Sequence, residues 1–188
     1  MPLAIHIEYP DWVADVVDWN TVYDKDETKM RLAIALAQEN VDRGTGGPFG
    51  AAIFAEGIGR PLAVGMNSVV RLKNAALHGE MVAFMMAQQR IGSFTLAGPN
   101  LPRHEIFTSC EPCAMCLGAT LWSGVKRIVC AAARDDATQL NFEEGPVFPQ
   151  SYQYLEDHGV RVVRNVLRDE ARAVMERYRE LGGKIYNG

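Results

Sequence analysis

The sequence predicts an α/β fold in three layers, with helices on both faces of one sheet. Amphipathic segments with apolar residues at helical spacing alternate with short apolar runs that have the length of strands. Their order along the chain, α-β-β-α-β-α-β followed by a strand and a helix, is typical of a three-layer α/β/α domain. The 188 residues, 48% of them hydrophobic, suffice to bury such a core without disulfide bonds.

An N-terminal arm is predicted over residues 1–25, ahead of a main domain at 26–188. Within the arm, Val13, Val16 and Val17 recur at helical spacing, which favours a short helix there. The two tryptophans of the arm give it an apolar surface that can pack on the domain.

The main domain is predicted to open with a helix and a β-hairpin. An apolar stripe runs through residues 27–42, and Gly44 is a residue type that ends helices. A glycine-rich loop at 46–50 leads into an apolar strand at 51–55. Two glycines then turn the chain into a second strand at 62–70.

The rest of the chain alternates between helices and strands. These predicted elements are a helix at 78–90, a strand at 105–109, a helix at 113–122, strands at 127–132 and 160–163, and a final helix at 168–181.

Two short motifs indicate a catalytic zinc site. The first is His78-Gly79-Glu80, and the second is Pro112-Cys113-Ala114-Met115-Cys116. One imidazole and two thiolates make three zinc ligands, and three protein ligands leave the fourth tetrahedral position open for water. Glu80, two positions from the imidazole, is placed to act as general acid and base.

The helix starts explain how these ligands meet. Cys113 and Cys116 are three residues apart at the first turn of one predicted helix, so both sulfurs lie on one face. His78 opens another helix. Helix N-termini stabilise negative charge, which favours thiolate over thiol.

Each motif alone has a simpler interpretation. A Pro-Cys-x-x-Cys segment also occurs in structural zinc knuckles and redox pairs, and an iron–sulfur cluster would need a fourth nearby cysteine. Cys130 lies inside an apolar strand, where a core role is expected. Cys110 is expected beside the site without binding the metal. The two motifs together, on two helix starts, favour catalytic zinc.

Composition limits the classes of function. A net charge of −4 argues against a broad nucleic-acid footprint. No apolar run approaches the roughly 20 residues that span a bilayer, and no secretory signal is recognisable, so we expect no membrane partner. Four cysteines, three of them clustered, suit a reducing cytoplasm in which thiols remain free for metal.

From residue 27 onward, the chain resembles the cytidine deaminase-like superfamily, and within it the guanine deaminase branch. The residues that carry the resemblance are Gly47-Pro48-Phe49-Gly50-Ala51, Asn67-Ser68, His78-Gly79-Glu80 and the run from Thr108 to Ala119. The H-x-E and P-C-x-x-C motifs are the signature of zinc deaminases. The resemblance implies a central mixed five-stranded sheet, a zinc ion held by His78, Cys113 and Cys116, and Glu80 as the proton shuttle.

The same resemblance implies several residues around the substrate. Asn67 corresponds to an asparagine that hydrogen-bonds the nucleobase, and Phe49 to an aromatic residue of the pocket. Glu143 falls where guanine deaminases carry an acid that contacts the purine. Gly79, within the zinc motif, stands where the family more often has alanine. Tyr186 resembles an aromatic residue that closes over the site.

Each of these residues also has a structural interpretation. Asn67 could cap a turn, Phe49 could belong to the core, and Glu143 could be a solvated surface acid. Tyr186 lies in a chain terminus, and termini are often disordered. The resemblance also implies a homodimer whose subunits exchange C-terminal segments, so that Tyr186 could reach a partner's site.

The implied reaction is hydrolytic deamination of guanine to xanthine and ammonia, with amino-triazines as related substrates. The alternatives are a tRNA adenosine deaminase, a cytosine deaminase, and a non-catalytic binding domain that zinc stabilises. A tRNA enzyme must bind a phosphate backbone, which the acidic balance disfavours. An intact Glu80 argues against a silent domain, because a purely structural zinc site needs no proton carrier.

Overall fold

The computed structural model of the protein describes residues 4–187, so the first three residues of the predicted arm lie outside this range. Five strands form one sheet in the order β2-β1-β3-β4-β5. Their bounds are β1 Gly50–Ala55, β2 Pro61–Met66, β3 His104–Cys110, β4 Arg127–Ala132 and β5 Arg161–Val163.

The sheet is mixed, as predicted. Strand β1 pairs antiparallel with both β2 and β3, whereas β3, β4 and β5 run parallel. Parallel neighbours need a crossover, and here a helix connects β3 to β4. The carboxyl end of β3, the central strand, leads directly into the cysteine motif.

Helices cover both faces of the sheet and complete the predicted three layers. Their bounds are α1 Val13–Val16, α2 Asp26–Asp42, α3 Val69–Leu72, α4 Gly79–Ile91, α5 Ala114–Ser123, α6 Arg134–Thr138, α7 Pro149–Asp157 and α8 Arg168–Glu180. Among the described residues, none of these helices combines the length and apolar character needed to cross a membrane.

Two apolar cores fill the spaces between the layers. Adjacent residues of β3 show the division, because Phe107 packs with α2 and α8 whereas Ile106 packs with α4 and α7. Side chains alternate between the faces of a strand, so a central strand buried on both faces is apolar throughout its middle. Such continuous apolar runs are what the sequence shows at β1 and β4.

The arm packs against the domain through Tyr9 and the residues around α1. Trp12, Val13 and Val17 are buried in the same core as α2. The Tyr9 hydroxyl donates to the Val64 carbonyl at 3.0 Å and accepts from its N–H at 3.3 Å. Because β2 is an edge strand, this phenol satisfies backbone groups that would otherwise face solvent.

The sequence patterns predicted no element at the three short helices α3, α6 and α7. The sequence prediction also extended β2 to residue 70, whereas the strand ends at Met66. The chain leaves the sheet there because the Asn67 side-chain oxygen accepts from the Val69 N–H at 3.3 Å and starts a helical turn. Such an asparagine turn competes with the strand ladder.

Candidate metal centre and its cavity

Two helix starts bring the three predicted zinc ligands together. His78 is the residue that precedes α4, Cys113 precedes α5, and Cys116 lies in the first turn of α5. The His78 Nδ1 lies 3.5 Å from the Cys113 sulfur and 3.7 Å from the Cys116 sulfur. All three ligand atoms lie within 4.8 Å of one another.

These distances fit a tetrahedral zinc ion. Zinc binds sulfur at about 2.3 Å and nitrogen at about 2.0 Å, so tetrahedral angles place a nitrogen and a sulfur ligand about 3.6 Å apart. The observed separations match this value, and the donor set of one imidazole and two thiols is one that zinc prefers. Three protein ligands leave one coordination position open, as in catalytic zinc sites.

The cysteine pair is prepared to bind a cation. The hydrogen bond from Cys116, with a further one from His78, lowers the pKa of the Cys113 thiol to about 4 despite its burial. The pKa of the Cys116 thiol is raised, because that thiol supplies the proton in this bond and is itself buried. One of the two cysteine ligands, Cys113, is thus already a thiolate at neutral pH. Thiolate is the form in which cysteine binds zinc.

Glu80 lies next to the metal ligands. Its side chain is buried, and one carboxyl oxygen lies 3.4 Å from the Cys116 sulfur. Burial raises the pKa of this carboxyl, and the neighbouring Cys113 charge acts in the same direction. A carboxyl that holds its proton more readily than a solvated one is suited to both general acid and general base steps.

A cavity of about 160 Å³ opens beside His78, Cys113 and Glu80. The other residues that line it are Phe49, Ala75, Cys110, Glu111, Phe142, Glu143, Glu144, Tyr186 and Asn187. Its volume suits a small ring system better than a drug-sized ligand.

Three aromatic rings form one wall of the cavity. Phe49 and Phe142 meet edge to face with ring centroids 5.0 Å apart, and Phe142 lies 5.1 Å from Tyr186. Aromatic pairs of this geometry are rigid and apolar, and they provide a surface for a planar ligand.

Asn67 and Gly79 adjoin the lining residue Phe49 and are not themselves among the described residues that line the cavity. The Asn67 N–H donates to the Phe49 carbonyl at 2.9 Å. Its side-chain Nδ2 is buried and has no hydrogen-bond partner in residues 4–187, so this amide group retains an unused donor. A Cβ at Gly79 would lie 3.2 Å from the Phe49 carbonyl oxygen, a tight contact that glycine avoids.

The comparisons with known proteins agree with this geometry. Residues 23–132 match the family model described as the cytidine and deoxycytidylate deaminase zinc-binding region. The chain belongs to this deaminase family. The protein is therefore a zinc-dependent deaminase, and the cluster of His78, Cys113 and Cys116 is its candidate zinc site.

Relatives and solved structures cover most of this deaminase. A guanine deaminase of Bacillus subtilis is 36% identical over 124 residues, which are 66% of this chain and 75% of that protein. A solved structure of guanine deaminase from Nitrosomonas europaea has 36% identity and a TM-score of 0.90, covering 96% of this chain and 98% of that one. A crystal structure of a complex with 2,6-diaminopurine has 38% identity and a TM-score of 0.90, covering 98% and 97%.

The deaminase has two adjacent acids at the cavity, and they differ in environment. Glu143, the predicted substrate acid, is exposed, and its carboxylate accepts from the Gly145 N–H at 3.2 Å. Glu144 is half-buried, and burial, reinforced by the Cys113 and Glu80 charges, raises its pKa to about 8. The Glu144 carbonyl accepts from the Ala114 N–H at 2.9 Å, which holds this loop to the start of α5.

The sequence analysis did not select Glu144. The two acids are consecutive, and no spacing rule distinguishes which of two neighbours in a loop turns inward. The structure distinguishes them by burial, and Glu144 is the acid whose pKa is raised by burial and by the neighbouring charges of Cys113 and Glu80.

The C-terminal tail folds over the cavity of its own chain. The Tyr186 hydroxyl is buried without a hydrogen-bond partner in the described part of the chain. A Cβ at Gly47 would lie 2.0 Å from the Tyr186 hydroxyl oxygen, so glycine leaves the space that this phenol occupies. The predicted exchange of C-terminal segments between subunits stays a prediction.

Proposed function

We propose that this protein hydrolyses guanine to xanthine and ammonia. The observation that carries the proposal is that two of the three clustered zinc ligands, His78 and Cys113, open together with Glu80 onto a small aromatic-walled cavity. Such a cavity admits a free base. The guanine deaminase names of the relatives, and the 2,6-diaminopurine of the solved complex, point to a purine with an amino group at C2.

The cavity offers partners for the edges of guanine. The carboxyl group of Glu144 can accept from the N–H donors that guanine presents along one edge, and Glu143 lies next to it. The free Nδ2 of Asn67 can donate to a ring acceptor. Phe49 and Tyr186 supply apolar contact with the ring faces.

Proton transfer falls to Glu80 in this mechanism. Bound at His78, Cys113 and Cys116, zinc supplies Lewis acidity and lowers the pKa of a water toward about 7. Glu80 takes the proton from the attacking water and delivers it to the ring nitrogen next to the carbon that bears the amine. It then moves the remaining hydroxyl proton of the added water to the departing amine, so that guanine and water become xanthine and ammonia.

Ammonia release from a panel of substrates tests this proposal. Zinc-loaded protein is given guanine, cytosine, adenosine, a tRNA anticodon stem-loop and an amino-triazine. We expect guanine to be turned over fastest, with the amino-triazine second. The Glu80→Gln variant, loaded with the same zinc, is the control. Guanine turnover no higher than that of this control would reject the proposal. Ammonia release that is faster from cytosine than from guanine would indicate a cytosine deaminase, and faster release from the stem-loop would indicate a tRNA adenosine deaminase.

We also propose that residues 26–188 form the deaminase domain and that the protein is a cytoplasmic homodimer with exchanged tails. All four cysteines are free and buried, which suits a reducing compartment.

Mixed dimers test the exchange of C-terminal tails between subunits. One chain carries Glu80→Gln with an intact tail, and the other carries Glu80 but ends at residue 184. Exchange predicts that mixing restores activity to a tail-less site, whereas no recovery in dimers of verified composition would refute it.

A further inference from the structure

A relay of hydrogen bonds connects the N-terminal arm to the substrate side of the cavity. The Trp12 indole N–H donates to the Thr45 hydroxyl oxygen at 3.1 Å. The Thr45 hydroxyl donates to the Asn40 side-chain oxygen at 2.7 Å. The Asn40 Nδ2 group then donates both of its hydrogens, to the Gly47 carbonyl and to the Asn67 carbonyl, each at 2.9 Å.

Chemistry fixes the direction of every bond in this relay. The indole nitrogen of Trp12 can only donate, and backbone carbonyls can only accept. The Asn40 amide must therefore turn its NH₂ toward the carbonyls and its oxygen toward Thr45. Asn40 is fully buried, so losing any of these partners leaves a polar group unpaired in the core.

The two carbonyls belong to the segments that carry the proposed base-binding residues. Gly47 precedes Phe49 by two positions, and the other carbonyl is that of Asn67 itself. These segments also bond directly, through the Asn67 N–H and the Phe49 carbonyl at 2.9 Å. A Cβ at Gly46 would lie 2.0 Å from the Asn67 carbonyl oxygen, so the backbones approach as closely as glycine allows.

We propose that Trp12, Thr45 and Asn40 are positioning residues that hold Phe49 and Asn67 in register at the cavity. The arm then belongs to the binding machinery of the enzyme, since Trp12 donates from outside the deaminase domain. The test of this inference by enzyme activity rests on the proposed guanine deamination. The test by amide hydrogen exchange does not.

The first test replaces the central hydroxyl. Thr45→Val keeps the shape of the side chain but removes the hydroxyl that bonds the Trp12 indole N–H and the Asn40 side-chain oxygen. Because this inference gives Phe49 and Asn67 a part in holding the base and none in making or breaking bonds, KM for guanine should rise roughly 2- to 12-fold with kcat nearly unchanged. Thr45→Ser retains the hydroxyl and should restore KM. A KM in Thr45→Val equal to that of the wild-type protein would overturn the relay.

The second test uses the two arm tryptophans as a matched pair. Trp12→Phe removes the donor at the start of the relay and keeps an aromatic ring. Trp19→Phe makes the same change where the ring stacks on Tyr9 with centroids 6.3 Å apart. We expect KM to rise in Trp12→Phe and to stay at the wild-type value in Trp19→Phe. Equal effects in both variants would assign the arm a general packing role and contradict the proposal.

Amide hydrogen exchange separates this inference from the proposed reaction. In zinc-loaded Thr45→Val, the amides of Phe49 and Asn67 should exchange at least several-fold faster, while those of β4 keep their wild-type protection. If the wild-type protein does not deaminate guanine, the proposed function is rejected, and amide hydrogen exchange alone tests the hydrogen-bond relay. Unchanged exchange at both amides, or equal acceleration in β4, would refute it.

Discussion

The zinc-ligand environment distinguishes Glu144 from Glu143, although the two are neighbours in the chain. Glu143 is exposed, whereas the pKa of Glu144 is raised to about 8 by burial and by the charges of Cys113 and Glu80. A perturbed carboxyl in a cavity is a candidate for a functional role. Both acids line the cavity, and we expect the half-buried Glu144 to be the one that acts on the substrate.

The first prediction compares these two acids. Glu144→Gln should lower kcat/KM for guanine by about 10- to 100-fold, the order of magnitude of a lost hydrogen bond to a charged group, with zinc content unchanged. Glu143→Gln removes the same charge one residue away and should cost less than about fivefold. Steady-state kinetics with metal analysis measure both. The reverse order would restore Glu143 as the functional acid.

At the same scale, the ligand set could be predicted from sequence because its information is local. The histidine and the two cysteines each sit at a helix start that the hydrophobic pattern already marks. The positioning residues could not be predicted in this way. Trp12 and Thr45 are 33 positions apart and meet only when the arm packs on the domain.

Elements with a strong hydrophobic period were predictable, and short ones were not. Helices α2, α4, α5 and α8 show several turns of apolar stripe. Helices α3 and α6 have four and five residues, too few to be stable alone or to show a period. Their stability comes from tertiary contacts, such as those of Asp136 in α6.

Asp136 ties α6 to α8 and gives a pH-dependent prediction. The carboxylate accepts from the Ala133 N–H at 2.9 Å and pairs with Arg168 at 2.8 Å and with Arg172 at 3.3 Å. Burial alone would raise the pKa of this carboxyl, but its hydrogen bonds and the arginine charges lower it below the ordinary value. Its stabilisation is therefore present above the unfolded-state pKa and is lost as pH falls through the folded-state pKa.

Asp136→Asn should cost about 1 to 2 kcal/mol of unfolding free energy at pH 7, since both arginines are partly exposed to solvent. The difference from the wild-type protein should shrink once the pH falls below about 4. Urea unfolding of both metal-free proteins at pH 7 and pH 3 measures it. A difference that is constant with pH would show that charge pairing plays no part.

The tail and the glycine-rich loop make a prediction about closure. Gly47→Ala places a methyl group where the Tyr186 hydroxyl lies, so the tail should leave the cavity and carboxypeptidase should remove residues 184–188 faster. Gly118→Ala is the control, because nothing lies within 4 Å of a Cβ there and alanine favours helix. Equal trimming in Gly47→Ala and the wild-type protein would show that the phenol does not need this space.

For the whole molecule, the zinc site joins two helices that belong to different parts of the sheet. Helix α4 follows β2 in the chain and α5 follows β3, and the ligands on their first turns converge on one point. A ligand that binds only the folded state stabilises it in proportion to RT ln(1 + [L]/Kd). Zinc should therefore hold the α4–α5 side of the molecule together.

Removal of zinc should lower the melting temperature by roughly 8 to 16 °C when the free metal had been near a thousand times Kd. Differential scanning calorimetry with and without a chelator measures the change. The Cys113→Ser variant provides the control, because it should melt at one temperature in both conditions. If the melting temperature of the wild-type protein is the same with and without the chelator, the three ligands hold no metal.

The most direct test of the account is a zinc titration of metal-free protein with guanine turnover as the readout. We expect xanthine formation to rise linearly and to stop at one zinc per chain, with Glu80→Gln binding the same zinc and producing no xanthine above background. Full turnover in the metal-free protein, or equal turnover by Glu80→Gln, would contradict it.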